Sequence, residues 1–151
     1  GGGQLGAIQA VAPSLGVEVK PVDAGDSEEI ERKLVEFSRD GKAGLIVTSS
    51  RLARAHRELI VRLAARNRLP AIYAFRVFVA DGGLMAYGPN ATTPYRRAAG
   101  YIDRILKGER PADLPVQAPT KYELTINLQA AKAIGLAVSP SLLARADEVI
   151  E

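Results

Sequence analysis

Apolar and polar positions along the chain alternate between two periods, and the clearest switch lies in residues 44–76, GLIVTSSRLARAHRELIVRLAARNRLPAIYAFR. Residues 44–47 form a continuous apolar run with β-branched Ile46 and Val47, the pattern of a parallel strand buried on both faces. Thr48, Ser49 and Ser50 follow, hydroxyls suited to accept hydrogen bonds from the free first-turn N–H groups of a helix. Leu52, His56, Leu59, Ile60 and Leu63 then recur at three- and four-residue spacing, with arginines mostly on the opposite face. Pro70 marks the turn into a second apolar run at 71–73, so strand, helix and strand form one βαβ unit with a right-handed crossover.

On either side of this unit the pattern predicts further elements. Leu5, Ile8, Ala12 and Leu15 share a helical face, and Gly16 stands where a left-handed terminating residue is wanted. Residues 17–22 alternate, which predicts an outer strand, with Pro21 favouring an edge. Asp26-Ser27-Glu28-Glu29 opens a helix whose inner stripe is Ile30, Leu34 and Phe37 and which stops near Gly41. A loop or short helix over 75–81, a turn at Gly82-Gly83 and a strand at 84–87 come next. Pro94 sits near the start of a long helix whose inward residues are Ala98, Ile102, Ile105 and Leu106. Residues 109–120 contain Pro111, Pro115 and Pro119 and predict an extended linker. A last strand at 122–126, a helix capped by Asn127 and ended by Gly135, and a terminal helix from Ser139-Pro140 to Glu151 complete the chain.

Alternating helices and strands predict an α/β fold, a doubly wound and mostly parallel sheet. Such a sheet normally opens with a central strand, and none precedes the first helix here, so the sheet is expected to lack its first strand. That gap should show as an unpaired edge beside 44–47. Two segments are expected: an α/β ligand-binding lobe over 1–108, and over 109–151 a linker, strand and helices that pack on that lobe or cross to another.

Composition narrows the function. With 151 residues, 47% of them hydrophobic, the chain can build one core but hardly two. The net charge of +3 comes from interspersed charges with 5% aromatics, which argues against a nucleic-acid partner. There is no cysteine, so disulfides and thiolate metal sites are excluded. No apolar run approaches a membrane span, and GGGQLG lacks the basic and apolar regions of a signal peptide.

Candidate chemistry is sparse. His56 lies on an apolar stripe with no acid placed to orient it, Ser49 is in no nucleophile elbow, and GGGQLG lacks the strand and lysine of a phosphate loop. No catalytic set, cofactor site or metal cluster is expected. What remains is positional: ligands of open α/β sheets bind beyond the carboxyl ends of the strands. Those ends carry Ser49, Tyr73, Arg76 and Asn90, with Arg76 suited to a carboxylate and Tyr73 to stacking, a set for a small polar or zwitterionic ligand.

The stretches GQLGAIQAVAPSLGVEV, GLIVTSS, HRELIVRLAARNRLPAIYAFR, GGLMAYGPN, YRRAAGYIDRILKGERPADLPVQAPTKYELTINLQAAKAIGL and PSLLARADEVIE carry a family resemblance over nearly the whole chain. It resembles the carboxyl-terminal half of the periplasmic substrate-binding proteins of ABC transporters, in the uncharacterised group related to tryptophan-binding lipoproteins. The resemblance implies two α/β lobes closing over a small ligand that it does not itself name; with the strand-end residues, a small solute such as an amino acid or related carboxylate is expected. The resemblance also implies periplasmic location, delivery to a membrane permease and no catalysis. It implies that the helix from Tyr95 to Leu106 crosses to another lobe, and Asn90 stands where the family often has an acid after Tyr-Gly-Pro. The competing reading is a small α/β enzyme or a ligand-sensing regulatory domain.

Overall fold

The structure, a computed structural model, describes residues 2–39, 41–90 and 92–151. Three apolar runs become short parallel strands: β1 (Leu45–Val47), β2 (Ala71–Tyr73) and β3 (Met85–Pro89). β4 (Tyr122–Asn127) pairs antiparallel with β3, and β5 (Glu148–Ile150) parallel with β4, in the spatial order β1-β2-β3-β4-β5. Three of the four pairings are parallel, so the α/β class and the mostly parallel sheet are as expected.

Helices cover one face of this sheet. α2 (Ser27–Ser38), α3 (Arg51–Ala55), α4 (Arg57–Arg66) and α5 (Arg76–Ala80) send Ile30, Leu34, Ala53, Ile60, Leu63, Phe78 and Val79 into one core with Val47, Tyr73 and Ala86. The strand register explains the division of faces. Val47, Tyr73, Ala86, Thr125 and Glu148 form one lateral row, and Ile46, Ile72, Met85, Ile126 and Val149 form the row of opposite parity. The first row lies under the helices. The second begins at an exposed Ile46, so only one side of the sheet is fully covered near β1.

Local chemistry sets the helix boundaries. Asp26 accepts from the Glu29 N–H at 2.9 Å while the Glu29 carboxylate takes the Gly25 N–H at 2.7 Å, a reciprocal arrangement at the start of α2. Ser50 caps α3 through the Ala53 N–H at 3.0 Å. Asn127 caps α7 (Leu128–Ala133) through the Ala130 N–H at 2.9 Å. Gly16, after α1 (Gly2–Val11) and a 3-10 turn, has the left-handed φ of 65° that its position called for.

Several expectations fail. Residues 17–22 are not a strand: they are irregular, with Val17 and Val22 exposed. An extended segment becomes a strand only beside another strand, and among the described residues β1 pairs with β2 alone, so the unpaired edge expected beside 44–47 is present there. The glycines of GGGQLG do not keep it out of the first helix, which begins at Gly2, and Gly1 lies outside the described residues. First-turn N–H groups close no intrahelical bond, so glycine there costs the helix only backbone entropy. The single helix expected to carry Leu52, His56, Leu59, Ile60 and Leu63 breaks at His56 into α3 and α4. The terminal helix shortens to α8 (Pro140–Leu143), because residues 148–150 pair with β4 instead. The apolar stripe of α6 (Thr92–Leu106) does not face inward: Ile102, Ile105 and Leu106 are exposed, and no described residue of this helix is buried.

Candidate functional site

The carboxyl ends of β1, β2 and β3 lie along one rim of the sheet, and each of the four expected residues follows or ends one of these strands. Their surroundings differ. Ser49 is exposed just beyond β1, and its backbone N–H donates to Gln4 Oε1 of α1 at 3.3 Å. Ser50, beside it, is committed to capping α3.

Tyr73 ends β2 but points to the helix-covered face. It is 2% exposed and stacks on Phe78 with ring centroids 4.8 Å apart, and burial pushes its hydroxyl well above the ordinary tyrosine range. The ring is therefore a support beneath the rim, not a surface for stacking. Strand register sets this direction: Tyr73 shares the row of buried Val47 and Ala86.

Arg76 opens α5 at the rim, and its guanidinium is engaged. Nε donates to Glu148 Oε2 at 2.6 Å and Nη2 to Oε1, a forked pair that clasps α5 to β5. The hydrogen bonds and charge of Arg76 hold the Glu148 carboxyl below its usual range, against partial desolvation. Asn90, after β3, is half-buried and also engaged. Its Oδ1 accepts from the N–H groups of Thr92 at 2.9 Å and Thr93 at 3.2 Å, while Nδ2 donates to Glu123 Oε2 at 2.8 Å. Lys121 and then Asn90 hold the Glu123 carboxyl below its usual range. Asn90 thus ties the start of α6 to β4.

Sequence reasoning missed Glu148 and Glu123, which sit 72 and 33 residues from their partners. It also missed Arg54 and Phe75 at the same rim, where the Arg54 guanidinium lies 5.5 Å from the centre of the Phe75 ring. Gly88 holds β3 close to the turn after β2: a Cβ there would overlap the Ala74 carbonyl. His56 is half-buried at the α3–α4 break. There it lines a cavity of about 290 Å³ with Arg57, Glu58 and Arg62. Among the described residues no cluster of histidine and carboxylates could hold a metal ion, and no helix is long and apolar enough to cross a membrane.

The strand ends thus gather Ser49, Arg76 and Asn90 along one rim, with the Tyr73 ring packed beneath it. The family model described as ABC transporter substrate binding protein matches residues 4–150. The chain belongs to that family. It is a family of binding proteins, not of catalysts. A conserved domain protein from Vibrio cholerae has a similar fold, with a TM-score of 0.84 at 21% identity over 97% of this chain. So has an ABC domain in complex with L-Trp from Streptococcus pneumonia, with a TM-score of 0.83 at 22% identity over 97% of this chain. A ligand-free, open substrate-binding protein with adhesive properties from Clostridium difficile superposes at 0.68, with 22% identity over 97% of this chain. At such identities the likeness establishes the fold. The chain spans 49%, 51% and 49% of these three proteins, about half of each. No curated protein matches the chain.

Proposed function

We propose that this chain is one ligand-binding lobe of the substrate-binding component of an ABC-type importer. It captures a small solute such as an amino acid or related carboxylate and presents it to a membrane permease from the periplasm. The observation that carries the reading is the rim itself. Ser49, Arg76 and Asn90 stand at the ends of adjacent parallel elements, Tyr73 supports the rim from below, and ligands of open α/β sheets bind at such a rim. Family membership and the L-Trp complex among its structural neighbours support a small amino-acid-like solute. In this reading residues 1–108 hold the ligand-facing rim, while 109–151 supply β4 and β5 to the same sheet and the connection to a facing lobe.

Calorimetric titration of the full-length protein with the proteinogenic amino acids and small carboxylic acids tests the reading. Saturable one-to-one binding of at least one is expected. Failure to bind any of them would remove the amino-acid and carboxylate assignment.

A further inference from the structure

Arg51 and Arg54 of α3 and Arg76 of α5 lie near the rim, and among the described residues only Arg54 both keeps its donors available and is held by an aromatic ring. The Arg76 fork is filled by Glu148, which also receives the Thr125 hydroxyl at 3.4 Å. A ligand carboxylate at Arg76 would have to displace an intramolecular carboxylate of the same geometry. Arg54, on α3, is exposed, and among the described residues it makes no ion pair and donates no side-chain hydrogen bond. What fixes it is the Phe75 ring, which attracts the guanidinium through its π face and uses none of its five N–H donors. Phe75 is half-buried in the turn after β2 and packs against the core, so the ring is a firm seat.

We infer that Arg54, seated on Phe75, is the anchor for the carboxylate of the bound solute, and that the Phe75 ring forms the apolar wall beside it. The inference rests on the binding-lobe reading and deepens it. The solute class it names is a small carboxylate with an apolar group close enough to the acid to lie against the ring. Arg51, in the first turn of α3, has no such seat among the described residues and serves as the neighbouring-charge control.

The experiment uses the full-length protein and calorimetry with the twenty proteinogenic amino acids, each paired with its carboxamide. Wild type is expected to prefer the acid. Arg54→Gln should weaken the tightest acid by about tenfold or more, as loss of a charge-assisted fork implies, and leave its amide within about twofold, so that the preference collapses. Arg54→Lys should keep part of the preference, and Phe75→Leu should weaken acid and amide together. Because Arg54 is exposed, the unliganded Arg54→Gln protein should melt with wild type, separating a binding defect from misfolding.

An unchanged acid-over-amide preference in Arg54→Gln, an equal loss in Arg51→Gln, or a loss confined to Arg76→Gln would overturn the inference and leave the lobe reading standing. No binding by wild type to any probe overturns both.

Discussion

At the scale of single residues, polar side chains at the strand ends hold the structure together: Arg76 is paired with Glu148 and Asn90 with Glu123. The Arg76–Glu148 clasp gives a pH signature. Glu148 titrates below the ordinary glutamate value when folded, so between the two values the unfolded chain binds more protons. Its stabilisation is therefore present above the ordinary glutamate range and is lost as pH falls through the folded value. Both side chains are well exposed, 57% and 37%, which limits the effect to under about 1 kcal/mol. Urea titrations of wild type and Glu148→Gln should differ near neutral pH and converge in acid, and a gap independent of pH would show that the carboxylate charge is not what matters. Gly88 should be far less tolerant. An added Cβ meets the Ala74 backbone carbonyl, not a movable side chain, so Gly88→Ala should cost about 1–3 kcal/mol or more in denaturant unfolding. The sequence marked Arg76 and Asn90 as rim residues, but it could not show that each answers a carboxylate far along the chain. Tyr73 was legible as a strand end but not in its direction, because the register that places it beside Val47 is set by strand pairing and not by its own sequence.

Helix caps were the most legible features at the element scale, because a cap and its target lie within four residues. Asp26, Ser50, Asn127 and Ser139 each accept a first-turn N–H at a helix start that the sequence marked. They are not equal in consequence. Asn127 is 7% exposed at the junction of β4 and α7, whereas Ser139 is exposed at the start of α8. Asn127→Ala removes a buried side chain and leaves the half-buried Ala130 N–H without its acceptor, and should cost about 2 kcal/mol, against about 0.5 kcal/mol for Ser139→Ala, in the same unfolding assay. Equal costs would mean that burial does not set the value of these caps. Pairing was legible only where both strands carried a distinctive run, as β1 and β2 do. Residues 17–22 have strand alternation and no partner. Residues 148–150 have a partner in β4 that no local pattern announces, which is why a terminal helix was expected there. The stripe of α6 was read correctly as amphipathic, but periodicity says that a helix has an apolar side and not what will cover it.

For the whole molecule, exposed features coincide with missing contacts. β1 is paired on one side, Ile46 on it is 55% exposed, and the apolar stripe of α6 is open, with Tyr95 79% and Leu106 82% exposed. Monomeric proteins rarely leave such apolar surface uncovered without a partner for it. The chain spans about half the length of its structural neighbours, so its rim is expected to form one wall of a cleft. A ligand closed in a cleft is ordinarily about 70–90% buried, and one wall alone leaves much of that surface in water. If the facing wall contributes about 4 kcal/mol, its absence weakens binding roughly a thousandfold, since about 1.4 kcal/mol corresponds to each factor of ten. The 151-residue chain should therefore bind the same solutes as the full-length protein in the same order of preference, but about a thousandfold more weakly. Parallel calorimetry of the two proteins against one amino-acid panel measures both quantities. A preserved order with a large loss fits a shared cleft in which Arg54 and its neighbours supply selectivity from this side. Equal affinity would mean that the complete site lies on this chain, and a scrambled order would mean that selectivity resides on the facing wall.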